Sequence, residues 1–177
     1  MKLIEDIIYK SECYYNQSEP TAVLRVILSD GTSANVLYRL SEFCNRIRLT
    51  PVAYIFMLLN KWFNGCVIGR NAVFGKGLVL MHPVGVVING GVCGGEHIVI
   101  ESGVVIGAAR NGLPVKVPQL GDNVFIGAGA KVLGGIKIGN NVKIGANSVV
   151  VKDVADNCTV VGIPARVVRK DDESETK

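Results

Sequence analysis

Aromatic residues are scarce in this chain: Phe, Tyr and Trp together make 6% of its 177 residues, while there are 21 Gly. A core built on large rings is excluded, and with 49% apolar residues so is a disordered chain. A greasy, Gly-rich, ring-poor chain leaves Val and Ile to fill a regular interior. Charge of one sign is also lacking. The net charge is only +4 and the Lys and Arg are scattered, so no stripe for nucleic acid stands out. Long apolar runs are missing too. The strongest, from Pro51 to Asn60, is broken by Lys61, well short of the roughly 20 residues of a membrane span. The start, Met1-Lys2-Leu3-Ile4-Glu5-Asp6, carries acids early and has no signal-peptide pattern. The five Cys (Cys13, Cys44, Cys66, Cys93, Cys158) are odd in number with no CxxC pair. A disulfide framework and a zinc site are disfavoured, and a cytoplasmic location is expected.

What is present divides at Gly65. Phe74 and Phe125 alone among the aromatics follow it, while 19 of the 21 Gly lie between Cys66 and Val168. Residues 1–64 read as a helical segment. Asp30-Gly31-Thr32-Ser33 reads as a turn with cap residues, ahead of Val36, Leu37, Leu40, Phe43, Cys44 and Ile47 at helical spacing. Thr50 as N-cap and Pro51 at the first helical position start a second helix over 52–63, stopped by Asn64-Gly65. Phe56, Met57 and Trp62 on it read as packing residues; contact of this helix with a membrane surface is the lesser alternative.

Residues 65–168 repeat every six. Leu120, Ile126, Val132, Ile138, Ile144 and Val150 follow without a break, with Val124, Ala130, Ile136, Val142, Ser148 and Val154 four residues after each. Ile68, Phe74 and Leu80 keep the same step, as do Ile88, Gly94, Ile100 and Ile106. Neither a helix nor a Gly-rich β-sandwich holds one such phase. A solenoid does, with each hexad one flat strand plus a turn and three hexads per triangular coil. Leu120 then stacks on Ile138, Ile126 on Ile144 and Val132 on Val150. Ala128 and Ala146 stack at equivalent corners, with Ala108 expected at the same place one coil earlier. Residues 169–177 read as an acidic disordered tail.

The repeat breaks twice, and breaks are where function is expected. Two extra residues fall within Leu80-Met81-His82-Pro83-Val84-Gly85, and eight more stand off the wall within 108–118. His82, one of two His in the chain, lies at the first break. Imidazole is the usual group for taking a proton from an alcohol near pH 7; a hydrogen-bonded turn residue is the alternative. His97, after Glu96 at a corner, reads as a solvated turn residue. Two His per chain exclude a three-His zinc site, and no metal is expected.

Four segments carry a resemblance. They are Leu80-Met81-His82-Pro83-Val84-Gly85-Val86-Val87-Ile88; Val105-Ile106-Gly107; Ile126-Gly127-Ala128-Gly129-Ala130-Lys131-Val132-Leu133-Gly134; and Gly162-Ile163-Pro164-Ala165-Arg166. Together they resemble the serine acetyltransferase group of hexapeptide-repeat acyltransferases. The resemblance implies a mainly β fold, a left-handed parallel β-helix with a short N-terminal α-helical segment. It implies a homotrimer or a dimer of trimers, acetyl-CoA as co-substrate, and His82 as general base. Ala108, Ala128 and Ala146 would offer backbone groups to the pantetheine arm, with Lys143 and Arg166 as candidates for the phosphates.

Three positions that bind the acceptor or support the base in the family are apolar here. Val67 stands where an Asp partners the base, Met81 where an Asp precedes it, and Val117 where a second His helps hold the amino acid. An ammonium facing Met81 and Val67 would lack a counter-charge. Short members of the group, similar to colanic-acid and capsule acetyltransferases, share the compact helical lead-in and the Val86-Val87-Ile88-Asn89 stretch, and acetylate sugar hydroxyls. The sequence therefore ranks a sugar of a surface polysaccharide first as acceptor. L-serine comes second, and a trimeric scaffold without catalysis third. The end of the chain lacks the terminal Ile by which family members dock into cysteine synthase, so no such docking is expected.

Overall fold

Flat three-sided coils follow directly from the hexads. The computed structural model describes residues 2–15, 20–109 and 115–170. Three parallel walls wind in the order A, B, C. Wall A holds β1 (Val67–Ile68), β4 (Val87–Ile88), β7 (Val105–Gly107), β10 (Lys131–Leu133) and β13 (Val149–Val150). Wall B holds β2 (Val73–Phe74), β5 (Cys93–Gly94), β8 (Gln119–Leu120) and β11 (Lys137–Ile138). Wall C holds β3 (Leu78–Leu80), β6 (Ile98–Ile100), β9 (Phe125–Ile126), β12 (Lys143–Ile144) and β14 (Cys158–Gly162), closed by antiparallel β15 (Ala165–Lys170). The expected columns are the observed register: Leu120 pairs with Ile138, Ile126 with Ile144, Val132 with Val150. These side chains are buried, each stabilising the fold by roughly 1.5–3 kcal/mol. Gly94 falls at a core position because Phe74 lies beneath it; a Cβ there would come within 2.4 Å of the Phe74 ring.

Along wall A the coil length reads out the interruptions. Val67 and Val105 pair with Val87, two residues more than a coil away on one side and one regular coil on the other. Val105 then pairs with Lys131 across the long loop.

The lead-in has four helices where periodicity marked two: α1 (Lys2–Tyr15), α2 (Pro20–Ile27), α3 (Thr32–Arg46) and α4 (Thr50–Asn64). Two caps differ from expectation. Leu49, not Thr50, is the N-cap of α4, and the N-cap of α3 is Gly31, without a side-chain cap bond. On α4, Phe56 and Met57 are half-buried, but Trp62 is 71% exposed and does not pack. No helix among the described residues is long and apolar enough to cross a membrane.

The helices finish the first coil. Strand β3 is the edge of wall C, so its outer backbone groups need partners. Asp6 Oδ1 accepts from Leu78 N at 2.9 Å, Asn35 Nδ2 donates to Leu78 O at 2.6 Å, and Asn35 Oδ1 accepts from Leu80 N at 3.0 Å. The strand that leads to His82 is thereby clamped by α1 and α3. At the other end, β15 carries strand through Arg169 and Lys170, past the boundary set for an acidic tail. Residues 171–177, with the rest of that tail and the end relevant to cysteine synthase docking, lie outside the described residues.

Candidate active site

Register identifies the two extra residues of the first break. Leu80 pairs with Ile100, and Met81 N donates to Ile100 O at 3.0 Å. The rung resumes where Gly103 N donates to Val84 O at 2.9 Å. Four residues, Met81 to Val84, thus face two, Glu101 and Ser102. His82 and Pro83 are the surplus, bulged out of the corner between walls C and A. Pro83 is buried and plugs the corner, while the His82 side chain is 59% exposed.

His82 meets a residue that the sequence reading assigned to a cap. Asp30 Oδ2 lies 3.0 Å from His82 Nδ1. A carboxylate only accepts, so the ring donates from Nδ1–H, and in the neutral ring the Nε2 lone pair is then free. An imidazole in that tautomer can receive a hydroxyl proton at Nε2.

Two more groups border the bulge. Tyr14 Oη donates to Met81 O at 3.3 Å. Its phenol is pushed above its ordinary value, first by burial and then by the negative charges of Asp30 and, more weakly, Glu101. Glu101 pairs in register opposite Met81 and accepts from Ala128 N at 3.0 Å through Oε2. Behind the site, buried Lys10 donates to the Asp30 carbonyl and, at 3.1 Å, to Thr32 Oγ1. Burial lowers its ammonium to about 8, against the opposing pull of Asp30.

The other expected site residues are spread over the coil. Met81 shares with Tyr9, Cys13, His97, Phe125 and Lys143 a cavity of about 340 Å³ beside wall C. Val67, half-buried on β1, pairs with Val87 and brings no polar side-chain atom. Val117 stands at the corner between walls A and B, over Gly91, one corner away from His82 in the same chain. Ala128 and Ala146 do stack: Asn147 N donates to Ala128 O at 2.8 Å. Ala108 does not stand in that column. Gly134 N donates to Gly107 O, so Ala108 lies opposite Gly134 at the A–B corner. The residue beneath Ala128 is Ser102, whose carbonyl takes Gly129 N at 2.7 Å. The cause is the loop, which falls between Ala108 and Ala128 and stretches that coil beyond the regular step. Residues 110–114 of the loop lie outside the described residues. Arg166, on β15, is exposed and donates to Ala165 O at 3.0 Å.

His97 is not a solvated turn residue. Its backbone is left-handed (φ 56°), in a corner column continued by Asn123, Asn141 and Asn157. Its ring is half-buried against Tyr9, with centroids 4.6 Å apart. No group of three or more metal-ligating side chains occurs among the described residues.

Sequence reading missed Asp30, Lys10, Tyr14 and Glu101. Only the Asp30-Gly31 pair was visible as a feature, and local pattern assigned it to a cap. Its 52-residue separation from His82 is bridged by tertiary structure alone.

Residues 118–152 match the model of the bacterial transferase hexapeptide family (six repeats). A serine acetyltransferase of Synechococcus elongatus is 41% identical over 138 residues, 78% of this chain and 57% of that protein. One from Helicobacter pylori is 37% identical over 146 residues, 82% of this chain and 85% of that protein.

This chain belongs to the serine acetyltransferase family.

Its fold is accordingly the family's left-handed parallel β-helix. The crystal structure of the Neisseria gonorrhoeae serine acetyltransferase superposes with a TM-score of 0.85 at 32% identity, covering 97% of this chain and 66% of that one. The same Neisseria protein is known in complex with serine, at 33% identity and a TM-score of 0.80 over 93% and 67% of the two chains. A serine acetyltransferase in complex with CoA matches at 26% identity and a TM-score of 0.80 over 93% and 68%. The chain spans little more than half the length of the first curated relatives it matches.

Proposed function

We propose that the chain is an acetyl-CoA-dependent O-acetyltransferase whose acceptor is L-serine. The observation that carries this reading is the exposed His82 on its two-residue bulge, with Nδ1 engaged and Nε2 free. The acceptor hydroxyl gives its proton to Nε2 as its oxygen attacks the thioester carbonyl. The C–O bond forms, the C–S bond breaks, and the thiolate of CoA takes the proton from Nε2–H.

Relatives that bind serine and CoA favour this acceptor over the sugar that the sequence ranked first. Charge favours it too. Met81, Val67 and Val117 offer nothing to an ammonium, but the carboxylate of Glu101 borders the bulge and acts on Tyr14. Opposite charge close to a partly desolvated ammonium restores the counter-charge whose absence argued for a neutral acceptor. The scaffold reading loses its main support as well, since His82 has a carboxylate partner.

For the donor, the exposed Ala146 corner, Lys143 and Arg166 lie on or beside wall C and are assigned to pantetheine and phosphates. Ala128 belongs there once Glu101 releases its N–H, and Ala108 would act from a different corner. A homotrimer suits these separations, because a neighbouring protomer can bring the A–B corner with Val117 and Ala108 to the C–A corner with His82.

Thiol release from acetyl-CoA, followed with L-serine and with a panel of neutral sugars, tests the reading. Release with serine and none with sugars is expected. Release with sugars alone overturns the serine assignment, and release with neither overturns the enzyme.

A further inference from the structure

We propose that Asp30 is the positioning residue for His82, so that the helical lead-in, not the β-helix, supplies the support for the base. This rests on the acyl-transfer reading above. The wall that could have provided a partner presents Val67. The partner comes instead from the turn between α2 and α3, where Asp30 Oδ2 meets His82 Nδ1 at 3.0 Å.

Both backbones that meet there are fixed independently. On the Asp30 side, Lys10 donates to the Asp30 carbonyl, and Thr32 Oγ1 donates to Val26 O at 2.6 Å. Ser29 Oγ donates to the same carbonyl at 2.7 Å. Gly31 is left-handed (φ 80°), and a Cβ there would stand 2.1 Å from Leu80 O. No other residue fits this approach of the turn to the strand. On the His82 side, Asp6 and Asn35 hold β3 up to Leu80.

The contact so carefully placed does little for stability. Both side chains are 59% exposed, and an exposed pair contributes roughly 0–1 kcal/mol. Nor does Asp30 cap α3, which has no side-chain cap bond. What the contact does is select the ring tautomer and aim Nε2 outward. A base held in the wrong tautomer has no lone pair at the reacting hydroxyl.

The test uses the full chain labelled with 15N. In wild type at pH 9, the ring-nitrogen shifts of His82 report Nδ1–H with Nε2 unprotonated. In Asp30→Ala and in Asp30→Ser this tautomer bias is lost. His97, packed at a tilt against Tyr9, keeps its shifts and serves as the fold control. In parallel, kcat for acetyl transfer falls roughly 10–100-fold, with the KM for the acceptor little changed. Unaltered His82 shifts overturn the proposal. So does a raised acceptor KM at constant kcat, which would make Asp30 an acceptor ligand. Unfolding of both variants overturns it too, because an exposed pair that only orients the ring leaves the fold intact. If wild type transfers no acetyl group, the function fails while the tautomer shift still reports on Asp30.

Discussion

Asp6 and Arg39 form a two-point ion pair under the first coil: Nε donates to Oδ2 at 2.7 Å and Nη2 to Oδ1 at 3.1 Å, with side chains 1% and 5% exposed. Arg39 also donates to the carbonyls of Phe74 and Gly75, and Asp6 accepts from Leu78 N. The pair therefore fastens α1 and α3 to walls B and C together. Removing one partner leaves a buried charge uncompensated. Arg39→Leu is expected to cost about 3–5 kcal/mol in denaturant unfolding. The double variant Asp6→Asn with Arg39→Leu should lose less than the sum of the singles.

Lys10 makes stability depend on pH. Its folded-state value is lowered to about 8 from 10.5, chiefly by burial. Between those values the unfolded chain binds the proton and the folded chain does not, so stability rises with pH across that window. Denaturation midpoints should increase from pH 8 towards pH 10. In Lys10→Met the rise should be reduced; an unchanged rise would show that Lys10 is not its source.

Gly31→Ala places a methyl against Leu80 O in a left-handed backbone. Backbone strain alone is expected to cost roughly 1–3 kcal/mol. Because the same turn carries Asp30, acetyl transfer should fall in the fraction that remains folded. A variant with wild-type stability and rate would mean that the turn can move away from the strand freely.

Glu101 occupies the N–H of Ala128 at 3.0 Å. If pantetheine uses that amide, the carboxylate must leave first. Glu101→Ala is therefore expected to lower the KM for acetyl-CoA several-fold. An unchanged KM would remove Ala128 from the donor site.

The solenoid was legible because its signal is local and repeated. Branched residues six apart, from Leu120 to Val150, predict the same columns that the register contains. His82 was legible for the converse reason, standing where the repeat gains two residues. Ala108 departs from the expected column because the loop joins walls A and B and lengthens the whole coil, which the hexad count alone does not show. Asp30 could not be read at all. An acid before Gly-Thr-Ser is what a cap looks like locally, and only the docking of the α2–α3 turn on β3 turns its carboxylate to His82. Lys10 and Tyr14 were hidden likewise, since nothing in the spacing of α1 says that it lies against the first coil.

Acetyl transfer depends on His82 as the base, and the most direct measurement is the rate of thiol release from acetyl-CoA with L-serine for wild type and His82→Ala. The expected result is a fall of roughly 100-fold to 10,000-fold in kcat, with the fold kept as judged by circular dichroism. A folded His82→Ala protein that turns over serine at the wild-type rate would contradict it.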